Sequence, residues 1–371
     1  MAQRTRLTGG SLWIVAMLLF VSILSGCGSI GPKTVDRDRF DYITAISEPW
    51  KRQTLLNIVK LRYADVPVFM EVGQVISGYE LESTFSAGGT LGDKSWRSAG
   101  GALGTFLNLG ASGRYLDRPT VTYAPLTGPE FVKTMMTPFP PGSIMFLLEA
   151  GWPVDVIMQV GVQAINGLRN HRGGPYGHPS DPEFTEAIRL LQRIQLSGGL
   201  GFKLAREKEA QEATVLLFHT RRLTPETARD VAEVKRLLRL NPEASEIRIT
   251  YGADVLNDNE IALHTRSGYQ VLIELAWLVS VPPEHVADRR TIGTTAPSPE
   301  ETAALRPIMS IHSGTEQTDK SYTQVRYRDH WYWIDDRDLG SKRVFTFLTV
   351  LFTLSETGQK IQQPILTIRA N

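Results

Sequence analysis

Between Val75 and Tyr115 apolar and polar residues alternate along two arms of about fifteen residues each, and this pattern restricts the fold more than any other in the chain. Val75, Tyr79, Leu81, Phe85, Ala87 and Leu91 fall on one side of the first arm, with Glu80, Glu82, Thr84, Ser86 and Thr90 on the other. Beyond the polar tip Gly92-Asp93-Lys94-Ser95-Trp96-Arg97, Leu103, Leu107, Leu109, Ala111 and Tyr115 oppose Asn108, Ser112 and Arg114. A period of two sends successive side chains to opposite faces of a strand, so two such arms around a turn predict an amphipathic β-hairpin over 75–115. Globular strands usually run to about 5–6 residues, so this hairpin is long. Ten of the chain's 32 glycines lie between Gly73 and Gly113, and one face is rich in Gly, Ala and Ser. Transmembrane strands need about 9–11 alternating residues, but a lone hairpin would leave its edge backbone groups unpaired in lipid. A ring of subunits, each giving one hairpin, would close those edges.

Upstream, residues 36–63 carry Phe40, Ile43, Ile46, Leu55, Ile58 and Val59 at three-and-four spacing, which predicts a helix interrupted or kinked at Pro49. Helices are also expected over 128–136, 143–150 and 154–168, and from Asp181-Pro182 to Leu196, where proline suits the first helical turn. From Gly199 the order becomes strand, strand, helix, three times over. Strands are expected at 201–205, 214–218, 246–251, 260–265, 307–311, 322–328, 331–334 and 365–368, and helices at 225–240, 269–281 and 338–354. The fold class is therefore α+β. A helical domain over 36–198 carries the hairpin, and an α+β domain over 199–371 has mainly antiparallel strands with helices on one face.

Lysine plus arginine (40) nearly cancels aspartate plus glutamate (39), so no bulk field draws nucleic acid or an acidic substrate. With a single cysteine, Cys27, no intramolecular disulfide forms, and stability rests on burying the 42% of residues that are apolar. Cys27 closes an apolar run from Leu12 to Leu24, with Arg4 and Arg6 ahead of it. A basic leader, an apolar core of about 7–15 residues and small residues before a cleavage point predict a secretory signal peptide. The run falls short of the ~20 residues that span a bilayer as a helix.

Leu24-Ser25-Gly26-Cys27 resembles the lipobox of bacterial lipoproteins. The resemblance implies that the Cys27 thiol takes a diacylglyceryl group, that residues 1–26 are cut away, and that the new amino terminus is acylated. Residues 27–35 then serve as a tether. Gly28 stands where an aspartate would retain such a protein at the inner membrane, which implies the periplasmic face of the outer membrane. Three acyl chains would make the tether permanent, since stable anchoring takes two membrane signals. The segment Asn57–Phe69 and the text Trp333-Ile334-Asp335-Asp336 resemble an uncharacterised family of proteobacterial lipoproteins, which implies no particular activity.

Catalytic signatures are sparse. Gly89-Thr90-Leu91-Gly92-Asp93-Lys94-Ser95 approaches a phosphate loop, but Asp93 stands where the lysine must follow the second glycine. His171, His178 and Asp181 share one loop without the tight spacing of a zinc site, so no metal and no cofactor is expected. Neither Gly-x-Ser-x-Gly nor Ser-x-x-Lys occurs, and no catalytic residue is assigned. The most unusual text is His330-Trp331-Tyr332-Trp333-Ile334-Asp335-Asp336-Arg337-Asp338. One reading makes Trp331, Trp333, Asp335 and Asp336 a platform for glycan or peptide, with rings to stack and carboxylates to grip. Another takes two of Asp335, Asp336 and Asp338 as a glycosidase pair, which needs carboxyls about 5–9.5 Å apart. The plainest has Asp338 capping a helix while the aromatics pack the core. Together these features predict a lipid-anchored, non-enzymatic envelope protein with a scaffold, assembly or accessory role. Its expected partners are the membrane, other envelope proteins or further copies of itself. The alternatives are an oligomeric outer-membrane pore or secretion component that inserts the hairpin, and a periplasmic glycan-binding protein or hydrolase using 331–338.

Overall fold

The computed structural model describes residues 31–76, 79–90, 106–117, 120–206, 212–218, 224–255, 257–294, 308–355 and 366–369. Cys27, the leader and the hairpin tip at 92–97 lie outside these. The chain divides into two units, Met1–Lys51 and Arg52–Asn371. Helix α1 (Gly31–Arg62) runs on through Pro49 and starts within the expected tether. Strands β1 (Met70–Ile76), β2 (Tyr79–Thr90), β3 (Phe106–Asp117) and β4 (Thr120–Pro125) follow, then helices α2 (Pro129–Met136), α3 (Pro141–Glu149) and α4 (Val154–Gly161). Next come β5 (Val162–Ile165), β6 (Leu168–Arg169), α5 (Pro182–Leu196), β7 (Leu200–Arg206), β8 (Glu212–Phe218) and α6 (Pro225–Leu237). The chain continues through β9 (Glu246–Tyr251), β10 (Glu260–Thr265), α7 (Gly268–Ala276) and α8 (Pro283–Ala287). It closes with β11 (His312–Gly314), β12 (Ser321–Tyr327), β13 (His330–Asp335), α9 (Leu339–Ser355) and β14 (Leu366–Arg369). The fold is mixed α+β with mostly antiparallel sheets.

The expected hairpin forms and reaches further than its sequence signal. β2 and β3 pair without a register shift from Tyr79 opposite Asp117 to Thr90 opposite Phe106. β1 and β4 carry the same register on from Ile76 opposite Thr120 to Met70 opposite Pro125, with one irregularity between Val72 and Gln74. β14 adds itself to β4, so the base of this ribbon is three-stranded. The outer half, β2 with β3, takes no third strand among the described residues. Each of its arms has 12 residues, about 40 Å at 3.3–3.4 Å per residue.

The largest sheet has the order β6-β5-β10-β9-β8-β7 and is antiparallel except where β9 runs parallel to β10. It takes strands from both sides of residues 198/199, so the expected boundary between a helical and an α+β domain falls inside one sheet. The helix expected over 154–168 also ends early, at Gly161. Asn166 and Gly167 both take left-handed backbone angles (φ 48° and 80°) and turn β5 directly into β6. An Asn-Gly pair adopts this two-residue turn with little strain. The Asn166 side chain then locks it, donating to the Leu238 carbonyl at 2.7 Å and accepting from the Ala262 N–H at 2.8 Å.

Helix packing follows the apolar spacing. Phe184, Ala187, Ile188, Leu191 and Ile194 of α5 are buried at three-and-four intervals, and α5 lies along α6, where Arg193 pairs with Asp230. Thr224 caps α6 by accepting from the Thr227 N–H, and Ser267 and Gln270 form a reciprocal capping box on α7. Val344, Phe345, Phe347, Leu348 and Leu351 of α9 are buried. Tyr322 of β12 meets the Phe345 ring at 6.0 Å and Trp152 meets that of Phe347 at 5.4 Å, so α9 packs between the small sheet β11-β13-β12 and the segment leading into α4.

Candidate functional site

The sequence-marked site lies on β13, the central strand of that small sheet. Arg328 and Asp329, both left-handed (φ 48° and 65°), turn β12 into β13 and set Tyr327 opposite His330. From there alternation assigns two faces. Tyr332 and Ile334 are fully buried, and His330 beside them is 12% exposed. Trp331, Trp333 and Asp335 occupy the opposite, half-open face.

The inner face joins three distant segments. The Tyr63 hydroxyl, just past α1, lies 2.6 Å from the Tyr332 hydroxyl and 2.7 Å from Nδ1 of His285 on α8. His285 packs edge-on against His330 with ring centroids 4.8 Å apart, and His330 Nε2 lies 2.9 Å from a Glu284 carboxylate oxygen. Tyr327 donates to Asp65 at 2.8 Å, and the Arg328 guanidinium lies over the Tyr63 ring at 5.2 Å. Burial pushes the Tyr332 hydroxyl far above its usual range and raises that of Tyr63. Burial, with His330 and Arg290 nearby, holds the His285 imidazole below its usual value. Tyr63, His285 and Tyr332 are all buried. The network is a structural fastening that binds the end of α1, α8 and the β12–β13 hairpin.

On the outer face the Trp333 ring lies across Gly314, where a Cβ would come within 3.2 Å of it, and beside His312 at 5.7 Å and a 32° tilt. A side chain at 314 would have to push the ring aside by a few tenths of an ångström. The Asp335 carboxylate is held by Arg337 through Nε (3.1 Å), Nη2 (3.0 Å) and the backbone N–H (2.8 Å). The Arg337 contacts draw its carboxyl down to about 2. Asp336 accepts from Lys342 Nζ at 2.8 Å, and Asp338 accepts the Ser341 N–H at 3.0 Å as the cap of α9. A glycosidase acid needs a raised carboxyl. Asp335 goes the other way, and Asp336 and Asp338 are committed to a lysine and a helix cap. The fold brings Trp331, Trp333 and Asp335 onto one face and puts Asp336 in the turn beyond it.

Sequence reasoning missed a second site, a cleft of about 310 Å³ between the 163–178 segment and the 253–274 segment. Its floor is Arg266, 3% exposed, which donates to the carbonyls of Gln159 (2.7 Å), Val160 (3.1 Å) and His171 (2.5 Å). A cation satisfies the free carbonyls at the end of a helix, and α4 ends there. Asn170 joins it, donating to Met158, Gln159 and Val162. Glu274 accepts the Gly173 N–H at 2.9 Å and lies 3.9 Å from Arg266. Gly173 and Gly174 press against Trp277, where a Cβ would approach within 2.5 Å and 2.9 Å. His171, His178 and Asp181 therefore belong to a clamped loop. Among the described residues no group of three His, Cys, Asp or Glu side chains could hold a metal. The Asn166-Gly167 turn was the one signal in the sequence that could have placed this wall. No family model, curated protein or solved structure matches this chain.

Proposed function

We propose that this chain is a lipid-anchored protein of the bacterial outer membrane that works by assembly and not by catalysis. Cys27 is its lipid attachment point, and the β2–β3 ribbon is the element through which it joins further copies of itself. The observation that carries the reading is the outer half of the ribbon, 12 residues per arm with no third strand beside it among the described residues. An isolated two-stranded ribbon is marginal in water, and unpaired strand edges recruit other strands. A ring of ribbons supplies each edge with a partner, and only a closed barrel of that kind is viable in lipid. No helix among the described residues is long and apolar enough to cross a membrane. The reading is tested in cells by cross-linking and fatty-acid labelling. The native chain is expected to label and to cross-link into a ladder of copies. Cys27→Ser should lose the label, and removal of 79–117 should lose the ladder. A ladder that survives that removal rejects the ribbon as the assembly element.

A second reading rests on the outer face of β13. Trp331, Trp333 and an ionised Asp335 share one side of a sheet, with Gln324 and Arg326 opposite the two tryptophans on β12. Flat rings edged by polar groups suit a glycan strand. Retention of the protein on insoluble peptidoglycan, lost in the Trp331→Ala and Trp333→Ala double variant, is the expected result. Equal retention of both proteins rejects it.

A further inference from the structure

The 310 Å³ cleft has more charges than its walls use. Arg266 on the floor is answered by Glu274, and Arg169 at the rim by Asp181, which takes its Nη2 at 3.2 Å. Two exposed lining charges remain, Arg172 and Asp254, and neither makes a side-chain hydrogen bond or ion pair among the described residues. They have opposite signs. His178 and His264 line the same space, and His178 donates through Nδ1 to the Pro179 carbonyl at 2.9 Å. That bond fixes its tautomer and turns Nε2 into an acceptor when the ring is neutral. The wall carrying Arg172 is rigid: Arg172 pairs with His178 through both backbone N–H groups at 3.0 Å, and Gly173 and Gly174 pack on Trp277.

We propose that this cleft binds a small zwitterion, an α-amino acid or short peptide, with the carboxylate on Arg172 and the ammonium on Asp254. The volume equals that of about ten waters and lies at the small end of ligand sites, which suits one or two residues and not a nucleotide or a glycan strand. A guanidinium receives a carboxylate through two parallel hydrogen bonds, and Asp254 accepts from an ammonium. A simple anion would answer Arg172 and leave Asp254 repelling it, so the pair selects for both charges together. The inference is independent of the assembly reading, because ribbon and cleft share no residue.

The experiment titrates the full-length protein with the twenty free amino acids and with alanyl-alanine, by ligand-observed NMR and thermal shift. N-acetyl-alanyl-alanine, alanyl-alanine amide and inorganic phosphate are run beside them. At least one free zwitterion is expected to bind, and blocking either end to weaken it tenfold or more. Asp254→Asn should remove discrimination against the acetylated form, and Arg172→Gln against the amide. Both side chains are exposed, so the ligand-free melting temperature should stay put in each variant. Phosphate binding alone marks a plain anion site and overturns the proposal. So does silence from all the zwitterions, or equal binding of free and blocked forms.

Discussion

The β12–β13 hairpin turns on two residues and sends every second side chain of β13 inward, where Tyr332 and His330 meet Tyr63 and His285. The β2–β3 ribbon is nearly twice as long and, among the described residues, pairs only with itself. Both read as alternating hairpins, and the short one is fastened across the fold through Tyr332 and His330. Alternation alone therefore states that a strand has two faces, and not what covers either of them. The short hairpin spends its buried face on stability. The outer half of the ribbon takes no third strand among the described residues.

That contrast can be broken most forcefully at Tyr332. Tyr332→Ala empties a fully buried aromatic site and orphans the Tyr63 hydroxyl, with an expected loss of about 3–5 kcal/mol in chemical denaturation. Tyr63→Phe keeps the ring but strips the hydroxyl shared by Tyr332 and His285, and should lose about 1–3 kcal/mol by the same measurement. A pH effect comes next. Because burial lowers the His285 imidazole, the unfolded chain binds the proton more readily than the folded one. The stabilisation from neutral His285 is present above the unfolded value near 6.5 and is lost as pH falls toward the lower folded value. The melting temperature should drop between pH 7 and 5, and His285→Gln should flatten that drop. Asp335→Asn, on the open face of the same strand, should leave the denaturation midpoint where it was. A shift as large as that of Tyr63→Phe would show that the two faces of β13 are not divided as described.

Legibility in the sequence followed distance along the chain. Strands 246–251 and 260–265 were readable to the residue, the first because Ile247 and Ile249 alternate with polar neighbours and the second as the short apolar run Ile261-Ala262-Leu263. Proline at the first turn marked α5 and α6 correctly. Trp331, Trp333 and Asp335 shared a face by their spacing alone, and Asp338 as a cap followed from its place before α9. Val162–Ile165 was absorbed into a helix because its apolar residues continue those of α4, although Asn166-Gly167 stood ready to signal a turn. The Tyr63–His285–Tyr332 network and the cleft between Arg172 and Asp254 could not be read at all. Their members come from remote segments that only pairing of β5 with β10, and of α1 and α8 with β13, brings together.

The claim that the ribbon assembles copies while the rest of the chain folds without it is decided by one paired measurement. The lipidated protein and a version with residues 79–117 replaced by a glycine turn are extracted in mild detergent. Particle mass is then read by light scattering, and the denaturation midpoint is read on the same samples. The expected result is a multi-copy particle for the native chain and a single copy for the deletion, at an unchanged midpoint. A single copy for both, or equal assemblies for both, would contradict the account.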